Sequence, residues 1–131
     1  IHRCTYGFTA WEGSFTDSDV EKQGYELNVK PLITAGSTKT FRAVQVEKEN
    51  VILDTLKPAE DGSGDLILRL YESKKASVST RVACSFGGCR AYLCDMLENA
   101  EEEIPMENGG IRLEFKAFEV KTVRVQTGLH T

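Results

Sequence analysis

A chain of 131 residues with sixteen Lys and Arg against twenty Asp and Glu carries a net charge of −4; its 14.6 kDa correspond to one ordinary domain, long enough to bury a core of its own. The basic residues are scattered rather than gathered into a stripe, so nucleic acid is not an expected partner. Neither a basic leader nor an apolar run of about 18 residues occurs, so no signal peptide and no membrane contact are expected; the chain starts at Ile1 and is read as a piece cut from a longer protein.

In chain order, residues 1–11 alternate loosely, with Tyr6 and Phe8 on one face and Trp11 at the end, which predicts a short strand. Glu12-Gly13-Ser14 breaks it. Thr16 with Asp19 and Ser18 with Glu21 form overlapping capping boxes, predicting a helix of about two turns that stops at Gly24. Pro31 and Ala35-Gly36-Ser37-Thr38 read as a linker. Residues 1–36 are therefore expected to be strand, helix and linker, residues 37–127 a β domain, and residues 128–131 a tail.

Phe41, Ala43, Val44 and Val46 read as a strand. In the next, Val51, Leu53 and Thr55 share one face and Ile52, Asp54 and Leu56 the other. At mid-chain, Lys57-Pro58-Ala59-Glu60-Asp61-Gly62-Ser63-Gly64-Asp65 joins two strand-like runs, 51–56 and 66–71, through a loop with the composition of a turn. The second run places Leu66, Leu68 and Leu70 on one face and Ile67, Arg69 and Tyr71 on the other. Arg69 then stands among apolar neighbours and needs a partner: Glu60, Asp61 or Glu72 within the domain, or an acid across an interface. Gly62 and Gly64 would let another surface approach closely. Glu60, Asp61, Asp65, Arg69 and Glu72 are therefore the candidate interdomain or sugar-facing surface.

Residues 77–83 alternate around Val78, Thr80 and Val82, and Ser85-Phe86-Gly87-Gly88 can reverse the chain into residues 90–93. Glu101-Glu102-Glu103 reads as a solvated loop, and Asn108-Gly109-Gly110 as a tight turn. Ile111, Leu113 and Phe115 are odd but Phe118 and Val120 even, so a bulge or bend near Lys116-Ala117 is expected to keep both sets buried. Seven or eight short strands with turns about every ten residues predict an all-β, antiparallel immunoglobulin-like β-sandwich.

Catalytic chemistry is mostly excluded. His2 and His130 stand near opposite ends, and no metal-binding, phosphate-loop or nucleophile-elbow motif is present. Glu60 and Asp61 sit on a Gly-rich turn, too mobile for glycosidase work, which needs two acids held about 5 to 9.5 Å apart. No catalytic residue, metal ligand or cofactor is therefore expected. Cys84, Cys89 and Cys94 follow a spacing of five that matches no usual zinc pattern. Free thiols in a reducing cytosol are the preferred reading, a Cys84–Cys89 bridge the alternative and zinc a third.

Several stretches carry a resemblance. The run Lys-x-Ala-Glu-Asp-Gly-x-Gly followed by Leu68-Arg69-Leu70-Tyr71-Glu72, then Cys94-Asp95-Met96-Leu97-Glu98, then Phe115-Lys116-Ala117-Phe118-Glu119-Val120-Lys121-Thr122 resemble, in order, segments of the C-terminal β-sandwich region of glycoside hydrolase family 38 α-mannosidases of the cytosolic type. His2-Arg3-Cys4-Thr5-Tyr6 resembles the stretch that precedes that region. The family usually has proline where this chain has Ala117. The resemblance implies a zinc-dependent retaining α-mannosidase as parent, with zinc and nucleophile held by an N-terminal α/β domain, and a first portion that completes a β region outside the terminal domain. It further implies that the catalytic domain of the same chain is the partner and that the location is cytoplasmic. An independent carbohydrate-binding module is the alternative, with Trp11, Tyr25, Tyr71 and Tyr92 the aromatics available for stacking.

Overall fold

The structure is a computed structural model that describes residues 2–37 and 39–127; His130 and the expected tail lie outside the described residues. Two compact units divide the chain, Ile1–Thr40 and Phe41–Thr131.

In the first unit a 3₁₀ turn, Phe15–Asp17, precedes a helix α1, Val20–Asn28. The capping box uses Ser14 and Asp17 rather than the expected pairs: the Ser14 N–H donates to Asp17 Oδ2 at 2.8 Å. Gly24 does not stop α1, which runs on to Asn28; a mid-helix glycine costs only about 1 kcal/mol relative to alanine. The expected strand in residues 1–11 is not seen among the described residues, 2–11 of which carry no regular structure. A strand needs a neighbour for its hydrogen bonds, and the first unit offers none. Tyr6 and Phe8 stand 90% and 95% exposed.

The second unit is a β-sandwich. Its strands are β1 Val44–Val46, β2 Val51–Pro58, β3 Leu66–Glu72, β4 Val78–Cys84, β5 Arg90–Cys94, β6 Ala100–Ile104, β7 Met106–Glu107, β8 Gly110–Phe115 and β9 Val120–Gln126. One sheet has the order β1-β4-β8-β7 and the other β2-β3-β9-β5-β6, and the pairings are antiparallel. The facing sides meet in a core that includes Leu68, Leu70, Val82, Ile111, Leu113, Phe115, Val123 and Val125. Each such side chain contributes about 1.5–3 kcal/mol by leaving water.

Both edges of the five-stranded sheet are blunted against pairing with other chains. At one edge β6 carries Glu101, Glu102 and Glu103, all exposed; the stretch expected as a loop is a strand, and its charges are what an edge strand carries. At the other edge β2 is broken by a bulge at Asp54. That bulge overturns the expected faces of β2. Leu53 stands opposite Leu70 but Thr55 opposite Arg69 and Leu56 opposite Leu68, so Leu53 and Leu56 share the side of Leu68 and Leu70 and Thr55 does not, although Leu56 at this edge stays 40% exposed and only Leu53 packs on the core.

Two connections expected within one sheet cross between sheets. β4 and β5 do not pair, since β5 lies between β9 and β6. The phase change after Phe115 has the same cause: β8 belongs to one sheet and β9 to the other, and residues 116–119 carry the chain across. Phe118 and Val120 are not buried by this turn, remaining 53% and 55% exposed. Phe118 adopts φ 58°, a left-handed conformation that costs a bulky residue about 1–3 kcal/mol and persists only where its surroundings hold it. Asn108 and Gly109, at φ 48° and 68°, form the expected tight turn between β7 and β8.

Among the described residues no helix is long and apolar enough to cross a membrane.

Candidate functional site

Register fixes what lies on the outer face of the five-stranded sheet. Ile67 of β3 stands between Lys57 of β2 and Arg124 of β9, and Arg69 between Thr55 and Thr122. Two connections fold over this end. The β2–β3 loop reaches across β3 to β9: Arg124 Nε donates to Asp65 Oδ2 at 2.7 Å, while its Nη2 reaches Asp61 Oδ2 at 2.7 Å and Ser63 Oγ at 2.9 Å. Ile67 is thereby fully buried although it points away from the core.

The β5–β6 turn is built on Asp95, whose Oδ1 accepts the N–H groups of Leu97 and Asn99 while Oδ2 accepts Asn99 Nδ2. The turn places Glu98, only 7% exposed and at φ 71°, against the first loop. Glu98 Oε1 lies 2.7 Å from Lys57 Nζ and 3.9 Å from Arg69 Nη2, and Oε2 accepts the N–H of Glu60 at 3.0 Å. Lys57 also pairs with Glu60. Arg69 Nη2 donates to the Met96 carbonyl at 3.0 Å. An open groove of about 620 Å³ runs between the two connections, lined by Glu60, Asp61, Leu97, Glu98, Asn99 and Arg124.

The charges bias one another. The Ser63 hydroxyl and N–H, and then Arg124, hold Asp61 at about 2. Lys57 and the Glu60 N–H hold the Glu98 carboxyl below the usual range. These two acids are thus kept ionised and bound to cations. A glycosidase acid needs the opposite, a carboxyl held protonated near neutral pH.

Of the five candidate residues, Glu60, Asp61, Asp65 and Arg69 come together here. Glu72 does not. It ends β3 on the core side and is 0% exposed, so it is not a surface residue. Its Oε1 accepts from Asn50 Nδ2 at 3.1 Å and the Lys74 N–H at 2.7 Å, and its Oε2 from the Phe118 N–H at 2.9 Å. Burial works to raise its pKa, but the N–H groups of Phe118, Lys74 and Ala76 and the Asn50 amide outweigh that and hold it low. Arg69 therefore takes Glu98, not Glu72, as its acid. Glu98 and Arg124 are the residues missed by sequence reasoning. Glu98 could have been found as the acid that ends Cys94-Asp95-Met96-Leu97-Glu98, but no local signal marks Arg124 as the partner of a loop about sixty residues away.

The described residues do not suit zinc. No group of three or more His, Cys, Asp or Glu among them is placed to hold a metal ion. Cys4 and Cys89 are exposed and Cys84 and Cys94 buried, all four as free thiols, so the alternative Cys84–Cys89 bridge is not formed.

Comparison with known proteins accords with this fold. Human α-mannosidase 2C1 is 30% identical over 127 residues, covering 91% of this chain and 12% of that protein. Mouse α-mannosidase 2C1 is 30% identical over 131 residues, covering 93% and 12%. Dictyostelium discoideum α-mannosidase G is 30% identical over 135 residues, covering 94% and 12%. The chain thus spans about an eighth of the length of these relatives. Residues 50–123, more than half of the chain and nearly the whole sandwich, match the glycosyl hydrolases family 38 C-terminal beta sandwich domain, and the chain belongs to that family.

Proposed function

We propose that this chain is a non-catalytic C-terminal domain of a larger cytoplasmic, zinc-dependent, retaining α-mannosidase, and that it braces the catalytic domain of the same polypeptide during hydrolysis of terminal α-mannosides. The relatives' names supply the substrate class, and their length supplies room for a catalytic domain elsewhere in the parent. The observation that carries the non-catalytic part is the pairing of the acids. Asp61 and Asp65 hold Arg124, and Glu60 and Glu98 hold Lys57. A retaining glycosidase needs two carboxyl groups about 5–5.5 Å apart across a sugar, one protonated and one free to attack. Here the acids bind the domain's own loops, so their role is to make two connections into one rigid rim.

The purified chain is expected to leave a chromogenic α-mannoside unhydrolysed and to hold no stoichiometric zinc by metal analysis. Turnover together with bound zinc would overturn the proposal. Chemical-shift changes that saturate with millimolar mannose and centre on Tyr71 or Tyr92 would replace it with the sugar-binding alternative.

A further inference from the structure

The four-stranded sheet carries a charged feature of its own on the face turned away from the core. Thr80 and Val82 of β4 and Ile111 and Leu113 of β8 are buried, so Arg81 and Arg112, which alternate with them, lie on the outer face. These two arginines are direct cross-strand partners. Like charges directly opposite on a sheet destabilise it, and among the described residues neither guanidinium has an ion-pair partner. Arg81 is nevertheless fixed in place. Its Nη2 donates to the carbonyls of Glu107 at 3.1 Å and Asn108 at 2.9 Å, and the guanidinium lies so close to Gly110 that a Cβ there would come within 2.8 Å of Arg81 Cζ. The Nε and Nη1 donors of Arg81 are left for another acceptor. Both arginines line an open cavity of about 210 Å³ together with Ile104, Pro105 and Glu107.

We infer that this cavity is a binding site for a phosphate group. Charge and oxygen count select the ligand. A dianion offsets both guanidiniums where a carboxylate offsets one, and phosphate has enough oxygens to accept from two arginines at once. Two acids oppose it: Glu107 lines the same cavity, and Glu114 shares the outer face with Arg112. The affinity expected from that balance is millimolar. Ile104 and Pro105 supply an apolar wall on which a carbon skeleton can rest, so inorganic phosphate and the phosphate of a sugar ester are the two sources of the same chemistry. The inference needs only the four-stranded sheet and stands apart from the proposed role in an α-mannosidase.

Titration of the chain with inorganic phosphate at constant ionic strength, followed by amide NMR, tests it. The amides of Arg81 and of residues 110–113 should shift and saturate at millimolar phosphate. Arg112→Gln should abolish that response, while Arg90→Gln, at an exposed arginine of the other sheet, should leave it intact. Arg112→Gln should also raise the melting temperature in phosphate-free buffer, since it removes a repulsion, whereas a purely structural role for Arg112 requires a fall. Glu107→Gln should tighten binding several-fold. A hexose phosphate that binds several-fold tighter than inorganic phosphate identifies an ester as the ligand, and equal binding identifies free phosphate. Shifts that grow without saturating, a response that survives Arg112→Gln, or a lower melting temperature in that variant would each overturn the inference.

Discussion

Glu72 and Glu98 are two carboxylates withdrawn from water, 0% and 7% exposed, and they stabilise the sandwich by different means. Among the described residues the partners of Glu72 are neutral donors. It is solvated by the Asn50 amide and by backbone N–H groups, and so ties the β1–β2, β3–β4 and β8–β9 connections into one knot. Glu98 sits between Lys57 and Arg69 and ties the β2–β3 loop to the β5–β6 turn. A carboxylate held by backbone dipoles is fixed in geometry and indifferent to salt. One held by side-chain cations at a partly open rim is adjustable and screened.

The largest effect should come from breaking the first arrangement. Glu72→Ala removes the acceptor that a part-buried Phe118 N–H and a part-buried Lys74 N–H share with the Asn50 amide, and with partial access of water to those donors the loss should be about 2–3 kcal/mol. For a domain of this size each 1 kcal/mol moves the melting temperature by roughly 4–8 °C, so circular dichroism should show a fall of about 8 °C or more. Glu98→Gln should lower the melting temperature less. Its deficit should also shrink as salt is raised, because the ion pair it removes is already weakened there; the Glu72→Ala deficit should not. Equal salt dependence in the two variants would erase the distinction between them.

Acid sharpens the same comparison with a smaller effect. Glu72, Glu98 and Glu119 all have folded pKa values held below the ordinary 4.5, and Asp61 is lowered from 3.8 to about 2. Depressed values mean that the unfolded chain binds protons first. The stabilisation is therefore complete above pH 4.5 and disappears as pH falls through the folded values. Denaturant midpoints should be flat above pH 5 and should drop below about pH 4, less steeply in Glu72→Gln, which has lost one of the titrating groups.

Much of this fold was legible because period-2 alternation is local. The strands around Leu68 and Leu70, around Val82, and around Ile111 and Leu113 follow directly from it. What was not legible depends on pairing at a distance. The bulge at Asp54, the crossing at residues 116–119 and the absence of a partner for residues 2–11 are properties of neighbours, not of the stretches themselves. The site divided in the same way. Glu60, Asp61, Asp65 and Arg69 were visible as a loop rich in acids beside an arginine out of place. Glu72 looked like part of that group and is not, because its parity puts it on the core side of β3. Arg124 was invisible because a strand residue's partner is set by sheet order, which places β9 next to β3.

The measurement that bears most directly on the proposed bracing, non-catalytic role is a kinetic split in α-mannoside hydrolysis by the longer polypeptide that contains this chain, carrying Glu72→Ala. The account predicts that the variant inactivates at a lower temperature, while kcat and KM measured well below that temperature equal those of the parent, since Glu72 acts only through the fold of this domain. A kcat reduced at a temperature where the variant is fully folded would contradict the account and place part of the chemistry in this sandwich.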